Sequence, residues 1–453
     1  MLRPNRRSFL LGSASAGLGA LAVGPLAGCA TPQDLSQVPP VVFVHGNGDT
    51  AALWHTTFWR WETNGFHRNH LFAVDFPYPL ARSADAAPQR LRSSTTEQRE
   101  QLAEIVDEVM RRTGAAKVAL VGSSRGGNAI RSYIRLGGGA GKVSHAVLCG
   151  TPNHGVIASD KFLVGSEFNG ASAFLKSMNE PAEITPGPAW MTTLSDSADK
   201  YAQPDGRYLG MPGTPTGVGY DGPALKGARN VILPGLDHRE VAFAPEAFAA
   251  IWQFITGAMP AQAGIVTEAS LVLNGKVNDM PGGVPTNLPV AGAVVEVWET
   301  DPSSGARRRM VHRRETGTDG YWGPFTGSTK AAYEFVVTTP GAPVTHIYRS
   351  PFPRSSAIIH LRAGKLSDED RKAGSVVILD RPRGYFDGDR DTVLMDGQRA
   401  PGIPAGVPTV STATLRLPPG PARAVTTQFN AEQIAVQTWP AAEGHVSIAE
   451  LHY

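Results

Sequence analysis

The sequence contains little cysteine and has almost no net charge. Only two of its 453 residues are cysteines, Cys29 and Cys149, so a fold held together by several disulfides is excluded. Its 42 Lys and Arg residues nearly balance 40 Asp and Glu residues, and such a balance gives no charge field that would attract nucleic acid. After residue 29 there is no apolar run long enough to span a bilayer. These absences favour a globular chain of two or three domains, and we expect no nucleic-acid partner.

The first 29 residues predict a signal for export. Paired arginines, Arg6 and Arg7, precede an apolar segment that runs from Leu10 to Leu26, as in twin-arginine (Tat) signals. The segment ends in Leu-Ala-Gly-Cys29, which resembles a bacterial lipoprotein box and implies acylation of Cys29. We therefore expect the Tat machinery as a partner and a periplasmic or cell-surface protein anchored by lipid on Cys29. The alternative is an ordinary signal peptide and a secreted protein.

Residues 39–260 alternate strand and helix signals. A capping box, Ser94 with Glu97, opens a helix that Gly114 ends. Alternation of this kind predicts an α/β fold with a doubly wound parallel sheet. The stretch 152–190 does not show this alternation. We predict either a lid or acyl-binding wall there or, as the alternative, a plain surface loop. Five short apolar runs predict buried parallel strands, at 41–44, 71–74, 118–121, 146–148 and 231–233.

The pattern changes after Gly264. Alternating apolar residues at 293–299 and 333–337 predict strands, and Gly, Pro and Asp separate them. We predict an all-β sandwich over residues 265–363 and a second β module over 364–453.

The segment 122–126, Gly-Ser-Ser-Arg-Gly, lies between an apolar strand and a helix. A serine in this context projects from a turn so sharp that only glycine tolerates the flanking backbone. The helix N-terminus behind the turn favours developing negative charge. Ser124 is therefore the predicted nucleophile, and a tight turn without chemistry is the alternative.

Serine chemistry also needs a base and an orienting acid. His238 follows the strand 231–233 directly, so it would lie at the same sheet edge as Ser124. His45 and His154 could border the site, but neither lies in the last loop of the domain. For the acid we predict Asp199, on the loop after a short strand at 191–194. Asp196 and Asp221 are alternatives.

Backbone donors for an oxyanion are expected from two turns. The segment His45-Gly-Asn47-Gly follows the first strand, and Arg125 follows the nucleophile. We predict that the N–H groups of Asn47 and Arg125 form the oxyanion hole. Asp237 beside the predicted base could assist a calcium site, but one carboxylate is too little to indicate a metal.

These motifs resemble those of the α/β-hydrolase superfamily, and most of all bacterial serine lipases and esterases of class 2. The resemblance implies a triad of Ser124, Asp199 and His238 that hydrolyses carboxylic esters, of lipids or polyesters, through an acyl-enzyme. Many lipases have histidine before the serine and a small residue after it, whereas this chain has Ser123 and Arg125. The Arg125 side chain could therefore favour a carboxylate-bearing or polar ester.

The β region resembles a transthyretin-like sandwich over the segments 289–298 and 318–321. Intradiol dioxygenases share that fold, which raises the alternative of an iron site. The lack of a His-x-His motif disfavours iron, and we expect no cofactor and no metal. The candidate iron ligands are Tyr321, Tyr348, His346 and His360.

The other alternative is an inactive hydrolase fold that serves a β module binding a polymer or surface component.

Overall fold

Parallel strands form the sheet that carries the site. The computed structural model describes residues 34–453, so the predicted signal and Cys29 lie outside the described residues. Six strands pair in parallel in the order β2-β1-β3-β4-β5-β6. The predicted α/β fold with a parallel sheet is thereby confirmed, whereas the domain bounds 39–260 stay a prediction. The strands are β1 Val41–Val44, β2 Leu71–Ala73, β3 Val118–Ser123, β4 Val143–Cys149, β5 Ala189–Leu194 and β6 Arg229–Ile232.

Helices cover both faces of this sheet. The alternation of side chains along a strand sends Phe43 to one face and Val42 to the other. Phe43 packs with Trp61 and Trp252 from helices on its face, whereas Val42 packs with Leu102 from the opposite layer. Burial on both faces explains why these strands are apolar throughout. The helices are α1 His55–Thr63, α2 Thr95–Thr113, α3 Arg125–Leu136, α4 Ala173–Asn179, α5 Glu240–Phe243 and α6 Pro245–Thr256.

Local signals in the sequence determine the ends of α2. The Ser94 hydroxyl accepts from the Glu97 N–H, and the Glu97 carboxylate accepts from the Ser94 N–H, so the capping box is confirmed. Gly114 ends the helix at φ 70°, a left-handed conformation that favours glycine.

Cys149 is buried within the core, where burial raises the pKa of its thiol to about 12. No helix among residues 34–453 combines the length and apolar character needed to cross a membrane.

After α6, the described residues form β-sheets joined by loops and short 3-10 helices. A seven-stranded sheet has the order β10-β9-β12-β13-β21-β15-β18, and a four-stranded sheet has the order β17-β16-β19-β20. Two further pairs are β11-β7 and β14-β8. The strands are β7 Leu271–Leu273, β8 Val277–Asn278, β9 Val294–Thr300, β10 Arg307–Glu315, β11 Phe325–Gly327, β12 Ala332–Thr338, β13 Val344–Arg349, β14 Leu361–Arg362, β15 Ser375–Asp380, β16 Val393–Met395, β17 Gln398–Arg399, β18 Thr412–Leu417, β19 Ala424–Phe429, β20 Glu432–Gln437 and β21 His445–Glu450.

The seven-stranded sheet contains strands from both β modules that the sequence suggests. The last strand, β21, lies in parallel between β13 and β15. Strands from before and after residue 364 are therefore hydrogen-bonded neighbours in one sheet. The boundary at 364 does not separate two sheets, and the division into modules stays a prediction.

Asp75 connects the parallel-sheet part of the chain to the β region. Its carboxylate accepts from the Ala51 N–H at 2.8 Å and lies 2.7 Å from Lys276 Nζ and 2.8 Å from His360 Nε2. Burial alone would raise the pKa of Asp75. The charges of His360 and Lys276 outweigh burial and hold that pKa far below its ordinary value. The carboxylate therefore stays ionised and joins Ala51 to two side chains of the β region, Lys276 and His360.

Candidate active site

Ser124 lies on the sharp turn between β3 and α3. Its backbone has φ 51° and ψ −120°, a conformation that L-residues rarely adopt. A Cβ on Gly126 would lie 2.4 Å from the Val44 carbonyl oxygen, and one on Gly122 would lie 2.7 Å from the Gly126 carbonyl carbon. Since these obstacles are backbone atoms, they cannot rotate away. The turn therefore requires glycine at both flanks, as the sequence predicts.

His238 is hydrogen-bonded to both Ser124 and Asp199. Its Nε2 lies 3.0 Å from Ser124 Oγ, and its Nδ1 lies 2.8 Å from Asp199 Oδ2. The Nδ1–H donates to the carboxylate, which leaves Nε2 free to accept the serine proton. Both Asp199 and His238 are buried. The structure thus brings together the three predicted residues from the loops after β3, β5 and β6, and their catalytic roles stay a prediction.

Both alternative bases and the alternative acid Asp196 have other partners. His45 Nε2 accepts from the Phe76 N–H, and His154 Nε2 lies 3.4 Å from Glu183. Asp196 accepts from the backbone of Gly235 at 3.1 Å. None of these contacts involves Ser124.

The two predicted oxyanion donors border the nucleophile. A Cβ on Gly46 would lie 3.2 Å from Ser124 Cβ, so the backbone before Asn47 passes close to the serine. Asn47 Oδ1 accepts from the Ala81 N–H at 2.7 Å, which holds this loop in place. Arg125 is the first residue of α3, where an N–H has no intrahelical acceptor. Both residues therefore border Ser124, and their role as oxyanion donors stays a prediction.

The Arg125 side chain is not available to a substrate. It is fully buried, and its Nε and Nη2 donate to the Glu167 carboxylate at 2.9 and 2.7 Å. Its remaining donors bind the Pro79 carbonyl and Ser93. Burial raises the pKa of Glu167, and the Arg125 charge opposes that rise. The expectation that this guanidinium favours a carboxylate-bearing or polar ester is wrong, because the guanidinium is buried and already paired with Glu167. The sequence does not reveal Glu167 as its partner.

A cavity of about 260 Å³ opens onto Ser124. Part of its wall is apolar and comes from the stretch 152–190. Another part is polar, and one of its residues, Tyr385, belongs to the β region. The lining residues are Asn47, Asp49, Ser123, Ser124, Pro152, Val156, Leu163, Phe168, Tyr201, Leu209, His238, Arg239 and Tyr385.

Asp237 holds the loop of His238 instead of pointing to a metal. Its Oδ1 accepts from the Arg239 and Glu240 N–H groups at 2.7 and 2.9 Å. Its Oδ2 accepts from the Tyr385 N–H at 2.6 Å and lies 3.5 Å from Arg381. Burial, followed by the nearby Glu240 charge, raises the pKa of Asp237 to about 7. Sequence reasoning missed the role of Tyr385 and Arg381, since no local pattern marks either residue.

The two histidines among the candidate iron ligands are paired with other protein groups. His346 Nδ1 lies 2.7 Å from Glu334 and its Nε2 lies 2.9 Å from His445. His360 lies instead beside Asp75. Within residues 34–453 no group of three or more His, Cys, Asp or Glu side chains is arranged to hold a metal ion.

The fold and the arrangement around Ser124 define an α/β-hydrolase. Residues 38–202 match the model of class 2 lipases, and residues 269–366 match that of the lipase C-terminal domain. The chain therefore contains a segment similar to class 2 lipases, followed by a segment similar to the lipase C-terminal domain. These matches support a hydrolase function.

Several solved structures are similar to the chain, whereas no curated protein matches it. The mature form of Bacillus licheniformis lipase BlEst2 is 20% identical at a TM-score of 0.37, covering 50% of this chain and 94% of that one. Its propeptide form is 16% identical at a TM-score of 0.37 and covers 90% and 94%. An esterase of Pyrobaculum calidifontis is 17% identical at a TM-score of 0.33 and covers 49% and 76%.

Proposed function

We propose that this protein is an exported serine hydrolase that cleaves carboxylic esters, of lipids or polyesters, through an acyl-enzyme. The observation that supports the proposal most strongly is the hydrogen-bonded series of Ser124, His238 and Asp199. The cavity at Ser124 gives an ester access to the hydroxyl. An inactive fold that only carries a β module would need neither the strained serine backbone nor this series.

Each residue of the site has a role in the proposed reaction. Ser124 Oγ attacks the ester carbonyl carbon while His238 Nε2 takes its proton. The N–H groups of Asn47 and Arg125 stabilise the negative charge on the carbonyl oxygen. His238 then gives its proton to the leaving alcohol, and Asp199 stabilises the imidazolium. Water, deprotonated by His238, then attacks the carbonyl carbon of the acyl-enzyme. The bond to Ser124 Oγ breaks, which releases the acid and restores the serine hydroxyl.

The proposal predicts covalent labelling of Ser124 by a fluorophosphonate probe. Wild-type protein is expected to react and Ser124→Ala to show no labelling, because the phosphonyl group bonds to the serine oxygen. The measurement is the mass of the labelled peptide, together with hydrolysis of a p-nitrophenyl ester. Ser132→Ala in α3 is the matched control and should still be labelled. Wild-type protein that resists the probe and hydrolyses no ester would favour the inactive fold.

We also propose export by the Tat machinery and a lipid anchor on Cys29. Two or more acyl chains on one cysteine would hold a protein stably on a membrane. Wild-type protein expressed in a bacterial host is expected to incorporate labelled palmitate and to sediment with membranes. Cys29→Ser should do neither while retaining ester hydrolysis. Equal membrane association of both proteins would contradict the anchor.

A further inference from the structure

Tyr385 belongs to the β region but lines the cavity that contains Ser124. It lies between β15 and β16, more than 250 positions beyond the serine in sequence, and only 6% of the residue is exposed. The class 2 lipase match ends at residue 202, so this part of the wall comes from outside it. The cavity is therefore complete only when the β region is in place.

The Tyr385 ring is held from several sides. Its backbone N–H donates to Asp237 at 2.6 Å. Lys200 Nζ lies 3.9 Å from the ring centroid and donates to the Thr409 carbonyl at 2.8 Å. Arg239 Cζ lies 5.3 Å from the same centroid. The cations hold the ring and the hydrogen bond holds its backbone, so the ring is a preorganised part of the cavity wall.

The position of Tyr385 relative to His238 indicates which part of an ester it meets. In ester hydrolysis the leaving oxygen must come within reach of the imidazole Nε2. The Tyr201 ring packs edge-on against the His238 ring at 4.7 Å. Lys200 Nζ lies 5.0 Å from the Tyr201 ring centroid as well as 3.9 Å from that of Tyr385, so the two rings are neighbours. The two phenols therefore form one wall on the His238 side, where the alcohol portion leaves.

We propose that Tyr385 is a specificity-determining residue for the alcohol portion of the substrate. This inference rests on the proposed ester hydrolysis. The phenol lies in a wall with Tyr201 and with the Asp49–Arg239 ion pair, whose atoms are 3.0 Å apart. Such a wall is polar, and the charges of Asp49 and Arg239 neutralise each other. It favours an alcohol that carries a hydrogen-bonding oxygen over a plain alkyl alcohol of the same size.

Two ester series measured on the full-length protein test this assignment. The first holds the acyl group constant and compares hydroxyethyl butanoate with propyl butanoate, which differ by a hydroxyl in place of a methyl group. We expect wild-type protein to prefer the hydroxyethyl ester. Tyr385→Phe should lower the ratio of the two kcat/KM values about tenfold, because the ring stays and only the hydroxyl is lost. Tyr385→Ala should lower the ratio at least as much.

The second series holds the alcohol constant and varies the acyl chain length. Tyr385→Phe should leave the ranking of acyl chains as in wild type, whereas Phe168→Ala, in the apolar wall, should change it. An unchanged alcohol ratio in both Tyr385 variants, or a change of acyl ranking instead, would overturn the assignment while ester hydrolysis stands. Wild-type protein that hydrolyses no ester in either series would overturn the proposed function, and the assignment with it.

Discussion

Asp199→Asn is expected to lower kcat about 10⁴-fold with little change in KM. The asparagine amide is close in shape to the carboxylate, so the loop and the cavity should persist. Without the carboxylate, however, His238 loses the acceptor 2.8 Å from its Nδ1. The imidazole can then present a proton to Ser124 instead of a lone pair, and the imidazolium formed on attack is not stabilised. Steady-state kinetics on a p-nitrophenyl ester measures the loss.

The alternative acids provide matched controls for this loss. Asp196 is exposed and accepts from backbone N–H groups of Ser197 and Gly235. Asp196→Asn and Asp221→Asn are therefore expected to hydrolyse the ester at rates near those of wild type. A large loss of kcat in either control, with Asp199→Asn nearly unaffected, would move the orienting role to that residue.

Arg381→Met is expected to lower the free energy of unfolding by about 3–5 kcal/mol. Arg381 donates to Glu240 at 2.5 Å, and its side chain is only 7% exposed. It also lies 3.5 Å from the buried Asp237 carboxylate. Removing the guanidinium leaves two buried acids with less compensation, whereas methionine fills much of the same volume. Urea unfolding followed by tryptophan fluorescence measures the difference.

Arg390 is the matched control because it also binds Glu240, at 2.8 Å, but is 30% exposed. Solvent screens such a pair, so Arg390→Met should cost much less, about 1 kcal/mol or below. Arg381→Met that is still folded should also show a lower kcat, because Asp237 precedes His238 and shapes its loop. Equal free energies of unfolding for the two variants would contradict a larger stabilising role for Arg381 than for Arg390.

Much of the candidate site was predictable because its signals are local. A strand, a Gly-x-Ser-x-Gly turn and a helix specify Ser124 within a few residues, and His238 follows another strand at the same sheet edge. The Arg125 guanidinium shows the limit of such reasoning. Its partner Glu167 is 42 positions away and fully buried, so the sequence suggested a free charge where the structure has a neutralised one.

The β region was predicted less completely. Alternating residues identified strands at 293–299 and 333–337, which the structure confirms as β9 and β12 with ends that differ by one residue. The sequence did not reveal that β21 lies between β13 and β15, since that pairing joins segments about 70 to 100 positions apart. Strand alternation reports which face a residue takes but not which strand is its neighbour.

The sequence by itself determined the α/β class, the sharp turn at Ser124 and the order of serine, acid and histidine. Only the tertiary structure decided that Arg125 is paired, that Asp237 binds the β region and that Tyr385 enters the cavity. The physical reason is the range of the interactions. Turns, caps and strand periodicity depend on neighbours along the chain, whereas buried charge pairs and cavity walls depend on which distant segments pack together.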